Sequence, residues 1–304
     1  MSFNANEPIP KKARGAFVKQ ANSNVTMEDY DVVQAKDLKP GEALVKVMYS
    51  GVCHIGDPVG IKWLADACMH CEFCRQGLES LCPEAKLSGF TVDGTFQQYA
   101  VSFVNHLSRI PDGMRLDDAA PILCAGVTVY KALKQSNAKT GNWVALPGAG
   151  GGLGHFAIQY ANLMGLRVIA IDSSFKETKD IVAAIKNATE DGFGPHAAIV
   201  TSASPSGYEQ ALDYIRPGGT VVAVGLPAGA KISAEVFWHV VYERKLVGSY
   251  VGNRQDAHEA LVLANMKNGK VKCHYVTRPL DDLPAIYEEM AAGQLAGRTV
   301  LKLF

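Results

Sequence analysis

Four of the chain's seven cysteines fall in one stretch, Cys68-Met-His-Cys71-Glu-Phe-Cys74 followed by Cys82. Zinc binds four thiolates in a tetrahedron, and short spacings let one loop fold back on the ion. Gly77 and Pro83 predict a loop over this stretch, not a regular element. Asp66, Glu72, Arg75 and Glu79 make it too polar to hide unpaired thiols in a core, where such groups usually sit. An iron–sulfur cluster also uses short cysteine spacings. A redox disulfide fits less well, because three cysteines at this spacing leave one unpaired.

A second chemistry is written between Asn142 and Asp172. Asn142–Pro147 reads as a short buried strand. Gly148, Ala149, Gly150, Gly151, Gly152, Leu153 and Gly154 follow as a turn, His155–Met164 as a helix and Arg167–Asp172 as the next strand. Strand, glycine turn, helix and strand ending in an acid form a dinucleotide-binding unit, although the turn runs A-x-G-x-x-G from Ala149. The glycines let the backbone approach a pyrophosphate, and the helix N-terminus supplies free N–H groups. Asp172 would accept hydrogen bonds from the ribose hydroxyls and repel a 2′-phosphate, which favours NAD over NADP. A structural loop alone is the plainer reading of such glycines.

Two cysteines stand apart. Cys53 precedes His54 at the end of the alternating strand Ala43–Ser50, a pair that fits packing as well as ligation. Cys124 lies in the apolar run Pro121–Tyr130, where a cysteine usually belongs to the core.

The cysteine spacing resembles the structural-zinc lobe of zinc-dependent medium-chain alcohol dehydrogenases, the tetrameric yeast type in particular. Gly60-Ile-Lys-Trp63 and Gly94-Thr-Phe-Gln-Gln-Tyr99-Ala100 carry the same resemblance, which extends over nearly the whole chain. It implies an α/β chain: a GroES-like, mostly-β catalytic domain over 1–125 and 251–304, and a Rossmann-type doubly wound NAD-binding domain over 126–250. It implies Cys53 and Cys124 as ligands of a catalytic zinc, with His54 near the cofactor, and Cys68, Cys71, Cys74 and Cys82 as ligands of a structural zinc. Val224, Leu226, Val251 and Arg298 become cofactor-binding positions, the last on the phosphates, where a solvated arginine is the alternative. Small alcohols or aldehydes as substrates and a homo-tetramer follow from the same resemblance.

The chain also departs from that family. After His54 it runs straight into Ile55-Gly-Asp57-Pro58. Family members carry there a block with the proton-relay threonine and histidine and a Gly-His-Glu segment that supplies another catalytic-zinc ligand. A second block, the second helix and third strand of the dinucleotide unit, is absent after Ser174. Its loss would shorten the sheet and expose a new edge. Two readings follow: a zinc- and NAD-dependent alcohol dehydrogenase, or a catalytically impaired relative that keeps the structural zinc.

The rest of the chain must position these groups. Its 304 residues suit one large or two ordinary domains, and 48% hydrophobic residues suffice for a core. Thirty basic and thirty acidic residues cancel, which argues against a nucleic-acid binder, a zinc-ribbon module included. No apolar run is long enough to span a bilayer. The first residues lack the pattern of a secretory signal or a mitochondrial presequence, and clustered reduced thiols fit the cytosol, so a cytoplasmic protein is expected. Further strands are expected at Ala197–Val200, Gly219–Gly225 and Lys245–Arg254, with helices ending near Pro217 and over His258–Met266 and Leu283–Met290.

Overall fold

A computed structural model describes residues 8–19, 23–50, 58–172, 181–266, 271–292, 294–295 and 297–304. The chain divides into two compact units. The first comprises Met1–Cys124, Asn253–Asn265 and Lys272–Phe304, the second Ala125–Gly252 and Met266–Val271.

The first unit is built from short paired strands. β1 (Lys12–Phe17) pairs antiparallel with β2 (Thr26–Asp31). β3 (Glu42–Lys46) pairs with a later strand, Tyr99–Phe103, and the expected strand over Ala43–Ser50 stops at Lys46. β4 (Val59–Gly60) and β5 (Leu64–Asp66) come next, then the short helix α1 (Glu72–Arg75) inside the cysteine stretch. β6 (Lys86–Leu87) closes on β5, β7 is Tyr99–Phe103, and β8 (Ser108–Arg109) closes on β4. Helix α2 (Leu116–Pro121) begins, as expected, with Asp117 and Asp118 in its first turn, where carboxylates favour the positive end of the helix.

The second unit holds α3 (Val127–Gln135) and a parallel sheet. β9 (Trp143–Pro147), α4 (Gly154–Leu163) and β10 (Arg167–Ile171) lie close to the predicted positions. They are followed by α5 (Ile181–Asn187), β11 (Ala197–Val200), α6 (Ser206–Tyr214), β12 (Thr220–Ala223), α7 (Val236–Val241) and β13 (Lys245–Gly248). The strand order is β10-β9-β11-β12-β13, all parallel. β11 is wholly buried, as a parallel strand covered on both faces must be, and so reads as an unbroken apolar run. Ala198, Val200 and Val221 pack against Tyr208, Ala211, Leu212 and Tyr214 of α6. The chain steps outward from β9 to β10 and then returns to the other side for β11, which makes the C-terminal ends of β9 and β11 the switch point of the sheet. Among the described residues β10 ends the sheet, with its side chains exposed or half-buried.

The chain then re-enters the first unit through α8 (Arg254–Asn265), β14 (Tyr275–Pro279), α9 (Leu283–Ala291) and β15 (Arg298–Lys302), the two strands pairing in parallel. Val45, Val47, Ala100, Leu283, Ile286 and Leu301 form the core that joins these late elements to the early strands. Among the described residues no helix is long and apolar enough to cross a membrane.

Candidate metal centre and cofactor turn

The four clustered cysteines converge. Their sulfurs all lie within 4.8 Å of one another, with Cys68 Sγ and Cys74 Sγ 3.9 Å apart. Four Zn–S bonds of about 2.3 Å in a tetrahedron require sulfurs roughly 3.8 Å apart, so the cluster is close to the size that zinc requires. The backbone is bent to suit. Met69 adopts a left-handed φ of 63°, and the amides of Cys71 and Cys74 donate to the sulfurs three residues before them, at 3.3 and 3.5 Å. The Cys71 sulfur thereby caps α1, which is why a stretch rich in loop residues contains a helical turn. As bare thiols the four would crowd one another. The Cys74 amide pulls Cys71 down to about 7, while desolvation pushes Cys74 up to about 12. A cation at the centre removes that conflict by favouring thiolate at every position.

The lobe is anchored by partners far off in sequence. Glu79 is buried and accepts from Arg254 through both the backbone N–H (3.2 Å) and Nε (2.9 Å), so it caps the first turn of α8. Asn253 donates to the Gly77 carbonyl at 2.7 Å. Lys62, also buried, donates to the His106 carbonyl at 2.6 Å. Burial drives Lys62 down to about 8 and His106 down to about 4. The ring of His106 lies 3.4 Å from Asp66 without the alignment of a hydrogen bond. Sequence spacing gives no hint of Glu79, Lys62 or His106, because each acts through a partner distant in the chain.

Cys124 is exposed, not in the core. Pro121 sits inside α2, and the chain widens directly after it into an i→i+5 turn over Ile122–Gly126. Such turns re-aim side chains and recur at functional sites. Leu123 lies against Gly60, where a Cβ would come within 1.9 Å of it, which fixes the turn beside β4. Cys124 lines a groove of about 680 Å³ in the first unit, together with Ser50, Trp63, Phe90, Thr95 and Tyr287. Among the described residues it joins no cluster of three metal-ligating groups. Cys53 and His54 lie outside the described residues, as does Ser174, where the second missing block is placed.

In the second unit, the glycine turn sits at the sheet's switch point. Gly148 has φ 85°, and a Cβ there would strike the Ser202 backbone at the end of β11. A Cβ on Gly154 would come 2.1 Å from the Gly148 carbonyl. These two positions therefore admit glycine alone. Gly150 N–H donates to Asp172 Oδ2, which holds the carboxylate over the turn. Ala149, Gly151, Gly152 and Leu153 complete the turn, and α4 starts at Gly154. Val224 is buried at the end of β12, and Leu226 just beyond it is 90% exposed. The expected strand over Lys245–Arg254 stops at Gly248. Val251 adopts φ 41°, a left-handed backbone that ends the extended run and is costly for a β-branched residue. Arg298 lies in the first unit, half-buried at the start of β15.

These features have counterparts in known proteins. Residues 152–266 match the family described as zinc-binding dehydrogenase, and residues 53–112 match the alcohol dehydrogenase GroES-like domain. Alcohol dehydrogenase 1 of Emericella nidulans is 44% identical, covering 87% of this chain and 91% of that protein. The chain belongs to the zinc-dependent alcohol dehydrogenase family. Alcohol dehydrogenase of Schizosaccharomyces pombe, another member, is 40% identical over 92% of this chain and 94% of its own length. The aligned stretch with the Emericella dehydrogenase runs to 320 positions, more than the 304 residues of this chain, so it includes residues without a counterpart here. Among solved structures, acetophenone reductase from Geotrichum candidum in complex with NAD is 25% identical, with a TM-score of 0.79, covering 98% of this chain and 99% of that one.

Proposed function

We propose that this dehydrogenase interconverts small alcohols and the corresponding aldehydes or ketones, with NAD as hydride acceptor and zinc as its metal. What carries the reading is the presence in one chain of a four-thiol zinc site and a glycine turn with an acid poised over it. Cys68, Cys71, Cys74 and Cys82 hold a structural zinc. Cys124, with Cys53, is assigned to the catalytic metal, and His54 to the cofactor's neighbourhood. A zinc there supplies Lewis acidity that stabilises the alkoxide from which hydride leaves.

The chain's own groups do the remaining work. The groove at Cys124 binds the alcohol. The N–H groups of Gly150–Gly154 and the start of α4 receive the pyrophosphate. The Asp172 carboxylate accepts from the ribose hydroxyls, and Val224, Leu226 and Val251 flank the cofactor. The strained turn at Val251 supports that last role, since strain of this kind gathers at binding sites.

A homo-oligomer, a tetramer by resemblance, is supported by α7. None of its residues is buried, and Val236, Phe237 and Val240 are 74%, 60% and 70% exposed; the end strand β13, which follows it in the chain, also exposes Leu246. An apolar face of this kind marks a contact surface. Val240→Asp, at a site too exposed to matter for folding, lowers the oligomeric mass in sedimentation. The reduced thiols of the zinc lobe are consistent with a cytoplasmic protein.

The test is NADH formation from ethanol, with zinc counted by elemental analysis on protein of intact mass 32.6 kDa. Two zinc ions per chain and turnover that disappears on chelation support the proposal. One zinc per chain, NAD binding and no turnover select the impaired relative instead.

A further inference from the structure

The four thiols of the zinc lobe are not equally deep. Cys74 and Cys82 are 7% and 5% exposed, whereas Cys68 and Cys71 are half-buried. An ion coming from solvent therefore meets the Cys68–Cys71 side first. That side carries a second cluster of metal-ligating groups. Cys68 Sγ, a ring nitrogen of His70 and a carboxylate oxygen of Glu84 all lie within 4.8 Å of one another. His70 and Glu84 are exposed, and the four-thiol tetrahedron is complete without them.

The histidine is already oriented for a metal. His70 Nδ1 lies 2.7 Å from the Cys68 carbonyl oxygen. A carbonyl only accepts, so Nδ1 carries the proton and Nε2 keeps the lone pair that binds a metal. A ring N–H bonded to a backbone carbonyl is the usual support of a ligating histidine. Arg75 Nη1 donates to the His70 carbonyl at 2.6 Å, which steadies the backbone under the ring, and the left-handed Met69 turns the chain between Cys68 and His70. Glu84 sits in a turn closed by the Ala85 N–H on the Cys82 carbonyl at 3.1 Å, so its place follows that of a buried ligand. Thiolate, imidazole and carboxylate are all donors that zinc accepts. One of the three, the Cys68 sulfur, belongs to both clusters.

We propose that Cys68, His70 and Glu84 form an entry site through which zinc passes into and out of the four-thiol site. The inference rests on the structural-zinc reading of the lobe and adds the route to it. His70 and Glu84 displace water from an arriving ion, and Cys68 Sγ bridges it to the resident one. Cys71, Cys74 and Cys82 then change partner in turn, and the displaced ion leaves hydrated. Each thiolate moves between two zinc ions of equal charge, so no proton or electron is gained or lost. Two exposed side chains and one shared sulfur hold an ion less firmly than four thiolates, so the ion moves on.

The experiment follows exchange of bound zinc for an enriched zinc isotope in the full zinc-loaded chain, read by mass spectrometry of the protein after rapid removal of free metal. It is run in a Cys124→Ser background, which takes away a ligand of the other assigned site so that exchange reports the lobe. The exchange rate is expected to rise in proportion to free zinc. His70→Ala and Glu84→Gln, both at exposed positions, should each slow exchange at least about tenfold, the scale on which loss of even an outer-shell partner weakens a metal site. Zinc content and melting temperature hold in both variants. An unchanged rate in either variant, or a rate independent of free zinc, overturns the proposal. One additional ion per chain at equilibrium that disappears in His70→Ala also overturns it, because these residues would then keep an ion and not pass it on. A lobe without zinc fails the structural-zinc reading and this inference with it, and shows in the zinc count before any exchange is measured.

Discussion

The zinc lobe and the groove at Cys124 use the same side chain to different ends. In the lobe all four thiols come from one short stretch, and their sulfurs converge through local backbone geometry at Met69 and α1. At the groove one thiol among the described residues, Cys124, sits on a widened turn, and the other walls come from Ser50, Trp63, Phe90 and Tyr287, spread over most of the chain. A site closed within one loop forms wherever that loop folds. A site assembled from distant segments depends on every element that carries a wall, and its chemistry can change by loss of one segment while the fold survives.

Substitution tests that contrast directly. Cys71→Ser removes one of four ligands while leaving a hydroxyl that can still cap α1. Zinc should be released and the melting temperature should fall by roughly 10 °C or more, because metal affinity at such sites is folding free energy. Unchanged zinc content and melting temperature would refute the four-thiolate assignment. Cys124→Ser should do the opposite: turnover drops about a hundredfold to a thousandfold while the melting temperature holds, since the side chain is exposed. A matching loss of stability would make Cys124 structural.

Acid should act on the lobe's anchors. His106 faces Lys62, Glu79, Asp66 and Arg254, and its folded pKa is held down near 4, mainly by burial. The unfolded chain therefore binds more protons between about pH 6.5 and pH 4, and stability is full above that window and lost on descending through it. A loss on the order of 2 kcal/mol is expected across the window, and it should disappear in His106→Gln. A denaturation midpoint in which parent and variant fall in parallel would show that other groups govern acid lability. The smallest effect is expected at Asp172, whose setting is partly local. Asp172→Gly should narrow the preference for NAD over NADP by about tenfold, and a parent chain that binds NADP as tightly as NAD would contradict the role given to the carboxylate.

How far the sequence could be read follows the same division. The run from Trp143 to Asp172 names its elements nearly to the residue, and the cysteine spacing names its four-thiol cluster, because each is completed by neighbours along the chain. The helical turn inside the cysteine stretch escaped notice, since the cap that makes it is a sulfur in place of the usual oxygen. The strand expected up to Arg254 ends at Gly248, short of the left-handed Val251, which apolar alternation does not reveal. The apolar run around Cys124 pointed to the core, and only the turn after Pro121 brings the thiol to the surface. Nothing along the chain marks Glu79 or Lys62 as buried, because their burial depends on Arg254 and on the carbonyl of His106.

The bond between Glu79 and Arg254 also sets an order on how the chain matures during synthesis. The two residues are 175 positions apart, with nearly all of the second unit between them. At about 5–20 residues per second a ribosome needs roughly 9–35 seconds to cover that interval. All four thiols leave the ribosome early in this time, so the nascent lobe can take up metal while the Glu79 carboxylate still lacks Arg254. The last step for that lobe is the arrival of α8, and a chain released before residue 254 would carry a metal-loaded lobe with an open socket at Gly77 and Glu79.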